Sequence, residues 1–145
     1  MTVRTFKLSI VVGAVLLSAC SSNPAALELS LKATDFRFEP ASMEVMAGQQ
    51  VTVRMDNQGT LEHDFVIQEI PVEKTAAESE PEVGATAGHT MDDMEIEPAV
   101  HMGAMAGLSS SVTFVPTKPG TYEYFCAVPG HKEAGMVGTL IVQER

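Results

Sequence analysis

The sequence predicts an all-β sandwich or barrel, and three observations carry that expectation. Apolar residues alternate with polar ones in short runs, proline and glycine break the runs, and no core segment has the spacing of an amphipathic helix. At 145 residues the chain holds one compact domain rather than two. Nineteen acids against nine bases give a formal net charge of −10 and a pI near 4.7. Such a chain repels phosphate backbones and has no basic stripe, which excludes nucleic acid as a partner. No apolar run reaches the length of a membrane-spanning helix, about 18 residues. Two cysteines allow one disulfide at most, so a disulfide-stapled scaffold is excluded.

Residues 1–19 read as a targeting segment. Arg4 and Lys7 precede an apolar run from Leu8 to Leu17, and small residues follow, the three parts of a secretory signal. The run ends in Leu17-Ser18-Ala19-Cys20, which resembles the bacterial lipobox, whose cysteine is acylated and becomes the mature N-terminus. The resemblance implies a lipoprotein signal peptide over 1–19, lipidation at Cys20 and a lipidated tether over 20–26. The chain would then sit on the outer, periplasmic or extracytoplasmic, face of a bacterial membrane. Cys126 becomes a lone thiol in an oxidising compartment, a liability unless something occupies it.

The domain itself is expected over 27–145. Leu27, Leu29, Leu31 and Ala33 alternate, then Phe36 and Phe38 before Pro40, then Val51, Val53 and Met55. His63-Asp64-Phe65-Val66-Ile67 reads as the next strand. Val112 and Phe114, then Tyr122, Tyr124 and Cys126, and finally Leu140 and Val142 resume the period of two. One stretch does not fit. Pro71 to Gly107 contains eight acids and one lysine and shows no alternation, so it is expected as a long insertion between two strands. Within it His89, Met91 and Met94, and His101, Met102 and Met105, offer soft donors for a metal ion. Nothing in the sequence constrains their geometry, and a solvated acidic loop is the simpler reading. The remaining sandwich is small enough to gain from a bound metal.

The chemistry concentrates in one loop. Cys126, His131 and Met136 fall at C-x4-H-x4-M between two expected strands, and His63 opens a strand far upstream. Two imidazoles, one thiolate and one thioether form the ligand set of a blue-copper site, His2Cys in a trigonal plane with a weak axial Met. Thiolate donates strongly to copper, imidazole suits both oxidation states, and the soft thioether favours the reduced one. Singly, each residue has an ordinary reading: a buried small apolar group, core filler, a loop histidine. Their convergence favours the metal. Tyr122 and Tyr124 are expected in the core. Phe125 points to the opposite face from Cys126, packed on the sandwich or covering it.

At these residues the chain resembles the cupredoxins, the type 1 blue-copper proteins. Gly120-Thr121-Tyr122 leading to Cys126, and Gly135-Met136-Val137-Gly138 leading to the last strand, look like plastocyanin. The longer C-x4-H-x4-M loop, the lipid-type N-terminus and the insertion look more like auracyanin. Asp35-Phe36-Arg37-Phe38-Glu39-Pro40, Ala47-Gly48, Val51, Asn57, Gly59 and His63 also follow the family. The resemblance implies a Greek-key β-sandwich or barrel, one type 1 copper ion, and His63, Cys126, His131 and Met136 as its ligands. It implies a monomeric carrier of single electrons, exchanging them through the edge of His131 within an apolar patch of Ala127, Val128, Pro129, Val137 and Leu61. Redox proteins such as a cytochrome or a membrane electron-transfer complex would be its partners. One position departs: many relatives have Asn directly after the first ligand histidine, and here it is Asp64. Its backbone N–H remains able to donate to the Cys126 sulfur.

A second reading is a protein of copper delivery or resistance, with the Met/His insertion as a labile site. An enzyme is not expected. Copper oxidases and nitrite reductases need further histidine clusters, a binuclear copper centre needs two cysteines in the loop, and no nucleophile–base pair stands out.

Overall fold

The structure, a computed structural model, describes residues 24–73 and 97–145. The expected signal peptide, Cys20, His89, Met91 and Met94 lie outside the described residues. In chain order these residues form β1 (Leu27–Thr34), β2 (Arg37–Glu39), β3 (Ser42–Met46), β4 (Val51–Asn57) and β5 (His63–Ile67). There follow β6 (Val72–Glu73), β7 (Val100–Ala104), β8 (Ser109–Pro116), β9 (Gly120–Phe125) and β10 (Val137–Gln143). Two five-stranded sheets result, ordered β2-β1-β4-β8-β6 and β3-β10-β9-β5-β7. The chain passes repeatedly from one sheet to the other, a Greek-key β-sandwich with no helix among the described residues. Crossing between sheets makes two neighbouring pairs parallel, β1 with β4 and β3 with β10.

The alternation reads directly onto the core. Leu31, Ala33, Phe38, Val51, Val53, Met55, Tyr124, Leu140 and Val142 are all buried between the sheets. Leu27, Leu29, Val112 and Tyr122 only pack against its margin. Tyr122 is therefore not a core residue, and its hydroxyl donates to the Lys118 carbonyl at 2.9 Å.

Part of the expected insertion is sheet. Val100, Met102 and Ala104 point inward on β7, which runs antiparallel to β5 with His63 opposite Ala104 and Ile67 opposite Val100. Val72–Glu73 adds a short edge strand against β8. The 71–107 boundary is thus corrected: within it, residues 74–96 lie outside the described residues, and 100–104 belong to the sandwich. The reason is β5, all five of whose residues are buried, so that it needs a neighbour on each edge, β9 on one side and β7 on the other.

Tyr124 locks the two halves. Its ring packs on Phe38 and Phe65, and its hydroxyl donates to the Pro40 carbonyl at 2.7 Å, where the chain crosses from β2 to β3. Gly138 lies opposite it on β10, and a Cβ there would overlap the phenol end of the Tyr124 ring. Gly138→Ala is therefore expected to lose about 1–3 kcal/mol by overpacking, measured as a lower urea midpoint at unchanged slope.

Candidate metal centre

Three strands and one loop bring the expected ligands to one end of the sandwich. His63 is the first residue of β5, Cys126 follows β9, and Met136 immediately precedes β10. The loop between Cys126 and Met136 is closed by its own backbone. Cys126 N–H donates to the Met136 carbonyl at 3.1 Å, and Met136 N–H to the His131 carbonyl at 3.0 Å. His131 N–H donates to Val128 at 3.0 Å, and Ala134 N–H to Gly130 at 3.0 Å. Three loop residues of the expected set are therefore tied to one another before any metal is considered.

The donor atoms converge. Cys126 Sγ stands 3.3 Å from His131 Nδ1 and 3.9 Å from His63 Nδ1, and the three ligand atoms lie within 4.8 Å of one another. The two imidazole rings are 5.1 Å apart between centroids. All three residues are buried, and Met136 is fully buried in the same core cluster as Cys126.

The electrostatics fit a cation. Burial pushes the Cys126 thiol up to about 11, against the pull of the Asp64 and Val128 backbone N–H groups. A thiolate here needs a positive charge beside it. Burial, then the nearness of His131, holds the His63 pKa below the ordinary imidazole value, which keeps the ring neutral and able to donate a lone pair. The Asp64 N–H donates to Cys126 Sγ at 3.3 Å, as expected despite the departure from Asn. The Asp64 carboxylate instead faces His101 on β7, 3.8 Å away. One soft sulfur and two imidazole nitrogens in a closed, buried cluster suit copper.

Several supporting residues were not assigned roles from sequence. Asn57, 2% exposed, donates to the Leu61 and Ala104 carbonyls, each at 2.8 Å, and accepts Gly59 N–H at 2.9 Å. It braces the 58–62 segment that delivers His63. Phe36 holds a positive φ of 65° and lies edge-on to His131 with centroids 5.1 Å apart. His131 is only 5% exposed, so the expected open edge is largely covered; Phe36, 44% exposed, stands over it. Leu61 and Val137 are exposed as expected, and Met105 and Leu108 add to the exposed apolar surface beside the Asn57 brace. Phe125 is half-buried on the outer face beneath Lys132, whose Nζ sits 3.9 Å from the ring centroid and 2.6 Å from Glu123 Oε1.

Comparison with known proteins agrees with this geometry. Residues 25–143 match the profile of the copper binding proteins of the plastocyanin/azurin family. The copper-resistant cuproprotein CopI of Rubrivivax gelatinosus is 34% identical over 107 residues, which are 74% of this chain and only 60% of that longer protein. Auracyanin-A of Chloroflexus aurantiacus is 30% identical over 124 residues, covering 83% of this chain and 76% of its own. The solved structure of auracyanin B superposes with a TM-score of 0.61 at 29% identity, over 81% of this chain and 89% of that one.

Because the Asn57 side chain satisfies three backbone groups in a buried place, Asn57→Ala is expected to cost about 2–4 kcal/mol. Denaturation of the metal-free protein measures the loss. Copper titration of the folded fraction should show weaker binding as the His63 segment loosens.

Proposed function

The chain belongs to the plastocyanin/azurin family of copper-binding proteins, and on that premise we propose that it is a membrane-tethered carrier of single electrons. The cofactor is one type 1 copper ion, and the reading assigns His63 Nδ1, Cys126 Sγ, His131 Nδ1 and the Met136 thioether as its ligands. The observation that supports this most is the buried convergence of Sγ and two Nδ1 atoms within 4.8 Å, on segments already fixed by backbone hydrogen bonds. Copper would supply the one-electron couple. The chain's own residues hold the donors in place, exclude water and keep the His63 ring neutral. Little then has to move when the charge changes, which is what rapid transfer needs.

Electrons would enter and leave at His131 beneath Phe36, since His131, at 5% exposure, is the least enclosed of the four ligands. The excess of acidic residues attracts a basic redox partner, such as a cytochrome, and speeds its encounter. Export over 1–19 and acylation of Cys20 keep the monomer at the extracytoplasmic face, within reach of membrane partners.

A second reading has one observation in its favour. The relative from Rubrivivax gelatinosus is named for copper resistance, so this chain would sequester or deliver copper rather than cycle electrons. The two readings part on kinetics and phenotype.

One equivalent of Cu(II) is expected to give an intense visible thiolate-to-copper band, and Cys126→Ser to abolish it. The loaded protein should oxidise a reduced basic cytochrome at a rate that falls steeply with salt. A slow, salt-independent reaction, together with copper sensitivity in cells lacking the protein, would favour sequestration instead.

A further inference from the structure

The turn between β1 and β2 sets two consecutive side chains against the two histidines of the site. Phe36 lies against His131, and Asp35 faces His63. With Nδ1 of His63 turned toward Cys126 Sγ, the outward nitrogen is Nε2, which is buried and makes no hydrogen bond. A neutral imidazole gives a lone pair from Nδ1 only when its proton sits on Nε2. That proton then points away from the metal, toward Asp35 Oδ1 at 3.5 Å. The distance exceeds a normal hydrogen bond, but the charge is held there.

Thr60 does the holding. Asp35 Oδ1 accepts the Thr60 backbone N–H at 2.9 Å, and Oδ2 accepts the Thr60 hydroxyl at 2.8 Å. Gly59 keeps the space open, since a Cβ there would meet His63 Nε2 at 2.8 Å and overlap Asp35 Oδ1 as well. The carboxylate, the ring and the missing side chain are thus fitted to one another. Asp64 is turned toward His101, whereas Asp35 is aimed at the ligand His63.

We propose that Asp35 is a positioning residue for the copper ligand His63. Its carboxylate selects the tautomer with the proton on Nε2, and its negative charge favours Cu(II) over Cu(I), lowering the reduction potential. A carboxylate behind a ligating imidazole makes the ring more basic and orients it, and the higher oxidation state gains more from both. The proposal rests on the ligand set assigned above.

The test uses two variants of the full chain. Asp35→Asn keeps an oxygen for Thr60 and for the imidazole N–H but removes the charge; Asp35→Ala removes both. In the copper-loaded protein Asp35→Asn should retain the visible band while weakening Cu(II) about tenfold relative to Cu(I), a rise of about 59 mV for a one-electron couple. In the metal-free protein, nitrogen NMR of His63 should show the proton on Nε2 in the native chain and in Asp35→Asn, and mixed tautomers in Asp35→Ala. A retained band with an unchanged potential in Asp35→Asn overturns the electrostatic role, even where Asp35→Ala fails to fold. An unchanged tautomer in folded Asp35→Ala overturns the positioning role. Absence of the band in the native protein would instead refute the ligand set, a distinct failure.

Discussion

A sulfur that has no room to be charged on its own is the constraint on which this structure depends. Cys126 is fully enclosed, and that enclosure disfavours its thiolate more strongly than the neighbouring backbone N–H groups favour it. Burial would be a defect in a chain without a cation. Beside the nitrogens of two imidazoles it becomes a means of selecting one, because the metal that accepts this donor set also removes the penalty. The same enclosure shields the Cys126 thiol from oxidation and from pairing with another chain.

Holding such a cluster together demands a frame that does not relax. His63 begins a strand that is buried along its whole length and flanked by strands on both edges. Cys126 and Met136 flank the antiparallel pair β9 and β10, and their backbones bond to each other across the mouth of the loop. The Asp64 N–H then joins the two ligand-bearing segments through the sulfur itself. Tyr124, two residues before Cys126, ties the same strand down to Pro40. The packing anchor and the metal-site thiol therefore lie two residues apart, at the end of β9 and just beyond it.

Much of this was legible in the sequence, for identifiable reasons. Alternation is a local property, and the strands with strong two-residue periods, such as Val51-Val53-Met55, fold as they read. The ligand loop is also local, with three of four donors inside eleven residues. What escaped was either weakly patterned or non-local. Residues 42–46 carry their alternation on only Met43 and Val45, and β7 carries it on Val100, Met102 and Ala104 beside a glycine, at the end of a long acidic stretch. Ala and Met are poor strand markers, and it is β5 that recruits them. Asp35 and Phe36 were visible as part of a family pattern, yet nothing in their neighbourhood says which histidine each meets. That depends on how the sheets close over one another. The covering of His131 by Phe36 was missed for the same reason.

The central claim is that the chain builds the copper site before copper arrives. Crystal structures of the metal-free and copper-loaded protein, superposed on the two sheets, test it most directly. The account predicts His63, Cys126, His131 and Met136 in the same rotamers in both, with the donor atoms gathered round a single ion in the loaded form. Ligand side chains splayed apart without metal, or a copper ion bound elsewhere, would contradict it.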